Sequence, residues 1–258
     1  MPLFSFYSLT YEMGKLRFIV QEINGEIVHD FVFELLRSIE YQRWRGEDVQ
    51  LRATSLEKLE TFGDKEFTPV GTIEFVREFI RKVLGYDGPD PLTPINVPQA
   101  LCKEDMFTGT GEEIKAKFRG GHAFYVKSMT ELKSSVNGPY SGADFDRLED
   151  SGLYQVRPLR NILSEWRIMI KSGQVLGCHN YSGDPLVFPE REVIERIIQD
   201  YKDCPPEYSM DVMVTEETGT ECLEVHEFYS LGLYGFSNYA TLPFLFNRAF
   251  YRIKQRLV

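Results

Sequence analysis

Glu224, His226 and Glu227 fall within four residues of one another in LEVHEFYSLGLYGF, residues 223 to 236, a run that opens as an apolar strand. Such groups are costly to bury, so their place at the end of a hydrophobic strand calls for a chemical reason. YSMDVMV, residues 208 to 214, lies just upstream, and the intervening EETG reads as a hairpin connection. An even-numbered loop would put Asp211 and Glu224 on one face of the paired strands, with His226 one step further along. A three-residue loop would reverse that relation. Two carboxylates side by side among Met210, Val212, Val214, Leu223 and Val225 repel each other, so a positive group belongs between them. A hard divalent cation is one answer, and Mg2+ commonly shares such a site with phosphates. The other is that one carboxylate is solvated and its neighbour pairs with an arginine.

Two more clusters have chemistry in them. Lys127 closes the apolar run HAFYVK, Lys133 follows six residues later, and KSSVNGPYSG is small, polar and glycine-containing. Backbone N–H groups of such a loop can cradle phosphates while a lysine supplies charge; two solvated lysines are the plainer reading. Further on, Gln155, Val156, Arg157, Pro158 and Leu159 form a stretch with neither helix nor strand period. Glu165 and Arg167 then sit one residue apart on a strand and face the same way. A carboxylate there can hold a ribose hydroxyl pair, and a guanidinium can stabilise a transferring phosphoryl group. A simple Glu–Arg ion pair is the alternative.

These groups need elements to hold them. Lys15 to Gln21 reads as a strand, Asn24-Gly25 as a turn, and Phe31, Leu35, Leu36 and Ile39 as one face of a helix. TPVGTIEFVREFIRKVLG carries Ile73, Val76, Ile80 and Val83 at helical spacing, with Thr72 to cap its start and Gly85 its end. GYDGPDPLTPINVPQ, residues 85 to 99, is rich in proline and marks a boundary. Beyond it come a strand at 122–126, a hairpin across Ser172-Gly173, a helix at 190–201 and an amphipathic terminal helix in TLPFLFNRAFYRIKQRL. The mixture of hairpins and helices indicates an α+β fold rather than a regular parallel sheet.

A net charge of −10 argues against nonspecific binding to nucleic acid or anionic membranes. Cys102, Cys178, Cys204 and Cys222 are scattered without a metal or disulfide spacing, which indicates reduced thiols. With no apolar run of membrane-spanning length, a cytoplasmic location is expected.

In order and spacing, PVGTIEFVREFI, FYVKSMTELK, ILSEWRIMI, YSMDVMV and LEVHEFYSLGLYGF resemble the ATP-grasp superfamily, in particular a branch described largely from bacteria and their phages. The matching runs span residues 69 to 236. The resemblance implies an N-terminal region at 1–97 and two α+β subdomains, 98–155 and 156–258, that grip ATP between them. By position Lys127 and Lys133 look like the nucleotide lysine and the phosphate cover. Residues Gln155 to Leu159 look like the adenine hinge, and Glu165 like the ribose carboxylate. Arg167 looks like the catalytic, phosphate-facing arginine, and Asp211, Glu224 and His226 like the metal ligands for Mg2+, with Mn2+ as the substitute. The family's last motif is usually Glu-x-Asn; here it is Glu224-Val225-His226. The implied activity is ATP-dependent carboxylate–amine ligation through an acylphosphate, acting on small molecules or peptides. Two other readings are an ATP-binding protein of the same fold without ligase activity and a metal-dependent hydrolase built on Asp211, Glu224 and His226.

Overall fold

The computed structural model describes residues 15–92, 95, 97, 101, 106–120, 122–132 and 134–257. In chain order the elements are β1 (Leu16–Gln21), α1 (Asp30–Trp44), β2 (Val49–Thr54), β3 (Thr68–Val70), α2 (Ile73–Glu78), β4 (Phe107–Thr110), α3 (Gly111–Phe118), β5 (Phe124–Ser128), β6 (Gly138–Tyr140), β7 (Leu153–Pro158), β8 (Ile162–Lys171), β9 (Gln174–Gly183), α4 (Arg191–Asp200), β10 (Glu207–Thr215), β11 (Gly219–His226) and α5 (Leu242–Arg256). Helices and mixed sheets make the fold α+β. Among the described residues no helix is long and apolar enough to cross a membrane.

The chain forms two units, Met1–Pro89 with Ser237–Val258, and Asp90–Phe236. In the first, β1 lies between β2 and β3, parallel to both. This small parallel sheet is a feature that the hairpin-rich second half of the sequence does not announce. α1 buries Phe31, Val32, Leu35 and Ile39, and α5 buries Leu245, Phe246, Ala249, Phe250 and Ile253. The Gln42 amide donates to the carbonyls of Tyr239 and Ala240, both at 3.0 Å, which ties the returning chain to α1. Thr72 caps α2 by accepting from the Phe75 N–H at 3.2 Å, as its spacing predicts. The helix then loosens into a π turn over Phe79–Val83 rather than running on as one regular α-helix.

The second unit holds two four-stranded sheets. The first has the order β4-β7-β5-β6, and its core is Ile114, Val126, Tyr140, Phe145, Tyr154 and Val156. Residues 155–158, expected to be irregular, are the end of β7, which pairs with β4 on one side and β5 on the other. The sequence lacks a strand period there because an interior strand has no regular polar face to alternate with.

The second sheet has the order β11-β10-β8-β9. Ser172 and Gly173 both have positive φ, at 49° and 74°, and join β8 to β9 in a tight two-residue turn. Trp166, Ile168, Tyr208, Met210, Val212, Cys222 and Val225 share a core with Val193, Ile194 and Ile197 of α4. The alternate residues of the same strands therefore point the other way, and among them are Arg167, Asp211 and Glu224.

The β10–β11 register corrects one sequence expectation and restores its result. Only Glu216, Glu217 and Thr218 separate the paired Thr215 and Gly219, so the loop is odd. Continued regularly, that register would set Asp211 against Leu223. A bulge intervenes: Val212 faces Cys222 while Asp211 faces Glu224, leaving Leu223 as the extra residue. Deletion of Leu223 is expected to turn the bulge into a regular ladder with Asp211 still opposite Glu224. It should preserve cooperative thermal unfolding at a cost of no more than about 2 kcal/mol. Deletion of Val225, a buried core residue, should instead drive His226 to the apolar face and abolish cooperative unfolding.

Candidate active site

One row of Cα partners crosses the second sheet: Glu224 on β11, Asp211 on β10, Arg167 on β8 and His179 on β9. Directly opposed residues share a face, so all four present their side chains on the side away from α4. At the centre, Arg167 Nε and Nη2 donate to Asp211 Oδ1 and Oδ2, each at 2.8 Å, in a two-pronged ion pair. Arg167 Nη1 donates to the Gly232 carbonyl at 2.7 Å, so three of its nitrogens are engaged. The two side chains are only 7% and 5% exposed.

The pair extends on both sides. His226 Nε2 lies 3.3 Å from Asp211 Oδ2 and 3.2 Å from Glu224 Oε2, bridging the two carboxylates. From the other four-stranded sheet, Lys127 Nζ reaches Glu224 Oε1 at 2.9 Å. Lys127 and Glu224 are 18% and 28% exposed, so water reaches this end of the chain of charges. Burial pushes the Asp211 carboxyl up, but Arg167 and His226 outweigh it and hold the group below its ordinary value. Glu224 is likewise opposed by burial, yet His226 and Lys127 hold it down to about 2. Burial lowers the His226 imidazole, and its hydrogen bonds to Asp211 and Glu224 raise it by more, for a net upward shift.

The positive charge expected between the carboxylates is therefore present in protein form, from Arg167 and Lys127. The donor set still suits a small divalent ion. One atom each from Asp211, Glu224 and His226 lie within 4.8 Å of one another. Ser209, fully buried and paired in register with His226, leaves its hydroxyl without a hydrogen-bond partner on this same face. An orphaned polar atom beside two carboxylates fits a site whose remaining partners are an ion and its water. The imidazole makes Mn2+ a better match than it would be for oxygen ligands alone.

Glu165, two residues before Arg167, lies on the same face and is partly exposed. Sequence reasoning missed Tyr181, which links Glu165 to Asp211. Its hydroxyl donates to Asp211 Oδ2 at 3.4 Å and also hydrogen-bonds Glu165. Tyr181 is the extra residue of a second bulge, between the Trp166–Asn180 and Glu165–Ser182 pairs, which aims its ring at the row of charges. Burial, followed by the charges of Asp211 and Glu165, pushes its phenol far upward and keeps it a donor. Tyr181 stacks on Tyr234 with ring centroids 4.7 Å apart, and the Arg167 guanidinium sits 4.9 Å from the Tyr234 centroid. Tyr234 has a φ of 48°, uncommon for a bulky residue, followed by Gly235 at 88°. The aromatic turn of SLGLYGF thus wraps the arginine whose Nη1 is bound by Gly232.

The other expected residues divide. Gln155 and Val156 are paired in register with both β4 and β5, so their peptide groups serve the sheet. Beyond Phe107 the β4 ladder ends, and Arg157 and Pro158 continue along β5. Arg157 Nη1 donates to the Cys222 carbonyl at 3.4 Å, a second tie between the two sheets, and Leu159 is exposed. Lys133 lies outside the described residues.

The model of an ATP-grasp domain family, family 2 of its clade, matches residues 114–242. Among curated proteins, none matches the sequence. Among solved structures, the chain is similar to D-cycloserine synthetase DcsG, at 12% identity, 94% of this chain, 100% of that one and a TM-score of 0.56. It is similar to D-alanine–D-alanine ligase from Bacillus anthracis, at 11% identity, 94% and 100% coverage and a TM-score of 0.51. It also resembles the ATP-grasp ligase PsnB complexed with a phosphomimetic precursor variant, Mg and ADP, at 10% identity, 94% and 98% coverage and a TM-score of 0.50. At these identities the likeness establishes the ATP-grasp fold.

Burial separates the two ion pairs energetically. Arg167→Ala strands a buried carboxylate and is expected to cost about 3–5 kcal/mol in urea unfolding. Lys127→Ala, at a pair that water reaches, should cost no more than about 1 kcal/mol. Equal losses would contradict this division. Because Glu224 is held at about 2, below its ordinary 4.5, its stabilising contribution is complete above 4.5 and disappears as pH falls through about 2. Urea midpoints followed down the acid limb should fall less steeply for Glu224→Gln than for the unmodified protein.

Proposed function

The chain belongs to the ATP-grasp domain family whose model spans residues 114–242, and from that premise we propose that it is an ATP-dependent carboxylate–amine ligase acting on soluble substrates in the cytoplasm. The observation that carries this reading is the chain of charges joining the two sheets of the second unit, Lys127–Glu224–His226–Asp211–Arg167. It combines phosphate-compatible cations with carboxylates able to hold a metal, on a sheet face that the core leaves open. Among the structural relatives are ligases named for amino-acid-like products, and one was solved with Mg and ADP. Amino acids or peptides are therefore the substrate class we favour.

In the proposed reaction a substrate carboxylate oxygen attacks the γ-phosphorus of ATP, and the bond to the leaving oxygen of ADP breaks. The amine nitrogen then attacks the acyl carbon of the acylphosphate. Phosphate departs with the C–O bond electrons, the nitrogen loses a proton and an amide remains. Neither step needs a covalent nucleophile from the protein; positioning and charge carry the catalysis. Lys127, at the solvent-reached end, is the cation that an incoming phosphate can draw from Glu224. Arg167 is fixed by Asp211 and Gly232, so its positive charge is set in place before substrate arrives. Glu165, steadied by Tyr181, takes the ribose, and Arg157 to Leu159 are better placed for adenine than Gln155 and Val156. Mg2+ or Mn2+ bound by Asp211, Glu224 and His226 would supply neutralisation of the phosphate oxygens.

One observation favours a second reading, an ATP-binding protein without ligation: both Asp211 oxygens already receive hydrogen bonds from Arg167. Calorimetric titration of ATP with Mg2+ tests both. Saturable, Mg2+-dependent binding, weakened at least about tenfold in Lys127→Ala, is expected. ADP release on adding pooled amino acids or short peptides would then mark the ligase. Binding without ADP release would favour the second reading, and no binding at all would sink both.

A further inference from the structure

The outer face of α1 has a pattern that neither the fold nor the candidate site uses. Asp30, Phe33, Arg37, Glu40 and Trp44 recur at alternating three- and four-residue intervals, the spacing of a single stripe along a helix, and all five are exposed. Phe33 is 52% and Trp44 80% exposed. Aromatic side chains and arginine grouped in this way are typical of an interface. The Arg37 guanidinium lies 5.8 Å from the centroid of Phe33 and 5.5 Å from that of Tyr239, so the cation at the middle of the stripe is held between two rings. The helix is also charged end to end: Asp30 and Glu34 near its start, Arg43 and Arg45 at its finish.

We propose that this face binds the same face of a second copy, α1 against α1, antiparallel about a two-fold axis. The register that sets Phe33 of one copy against Trp44 of the other also sets Arg37 against Glu40 and Glu34 against Arg43. Two-fold symmetry makes each of these contacts twice. Antiparallel pairing brings the acidic start of one helix to the basic finish of the other, whereas parallel pairing would oppose like charges. An aromatic contact and two charge contacts satisfied in one register make the face complementary to itself, which is why the occupant is a copy of this chain.

The test is sedimentation of the full chain over a range of concentrations. The unmodified protein is expected to show a concentration-dependent dimer, and Trp44→Ala should raise its dissociation constant at least about tenfold. Arg37→Glu and Glu40→Arg each place like charges across the axis and should be monomeric alone. Mixed in equal amounts, they restore opposite charges at both contacts and should form a heterodimer. All these positions are exposed, so the variants should keep the far-ultraviolet circular dichroism and melting behaviour of the parent. A parent that sediments as a monomer throughout overturns the proposal. So does a dimer indifferent to Trp44→Ala, or a pair of charge variants that fails to associate on mixing.

Discussion

A guanidinium and a carboxylate that water barely reaches, Arg167 and Asp211, constrain what is built around them. Removing two charges from water costs several kcal/mol per ion, recovered only if the geometry is good and the remaining hydrogen-bonding groups find partners. The surrounding residues meet that demand. Both prongs of the pair are 2.8 Å long, Gly232 accepts from Nη1, and Tyr181 and His226 approach Asp211 Oδ2. Meeting it requires β8 and β10 to be neighbours in one fixed register. That register commits Ile168, Met210 and Val212 to the opposite face, where α4 covers them. The apolar core and the polar site are thus two consequences of a single alignment.

The register would fail without two local irregularities. Each bulge adds one residue to a strand and reverses the facing of everything beyond it. Leu223 brings Glu224 and His226 onto the face of Asp211 despite an odd loop. At the other side of the sheet, the bulge at Tyr181 delivers a phenol to the space between Glu165 and Asp211. Without them, the ladders would place Leu223 opposite Asp211 and leave Glu165 without its tyrosine. Bulges at both margins of one row of charges fit a sheet shaped by its site.

This explains what could be read in the chain and what could not. The polar residues in YSMDVMV and LEVHEF stand out because carboxylates among buried apolar neighbours are conspicuous, and helix α4 is legible from its apolar spacing. The family, too, was legible from the order of the motifs. Parity was not, because a bulge has no signature in a sequence whose loop length is read by eye. Tyr181 was missed because a tyrosine on a strand has no mark of function until its partners are known. The parallel pairing of β1 with β2 and β3, and the return of α5 to that unit, depend on contacts distant in the chain, which local periodicity does not encode.

The charges themselves bear on how a nucleotide would enter. Asp211 and Glu224 are balanced by Arg167 and Lys127, so the site is neutral as it stands with a neutral His226. A metal alone would bring excess positive charge to Arg167, and a phosphate alone would bring excess negative charge to Glu224. In the proposed reaction the two arrive together, and the partners can exchange: Lys127 moves from Glu224 to phosphate while the ion takes its place on Glu224. The partly exposed pair is the one that can open, and the buried pair the one that holds still. His226 bridges the two, contacting the fixed carboxylate and the exchangeable one through the same nitrogen. An asparagine side chain would carry no charge in either state, whereas an imidazole drawn upward by both carboxylates must give up that shared contact before its Nε2 can serve an ion. The substitution therefore makes metal entry compete with a hydrogen-bonded state that the protein already satisfies by itself.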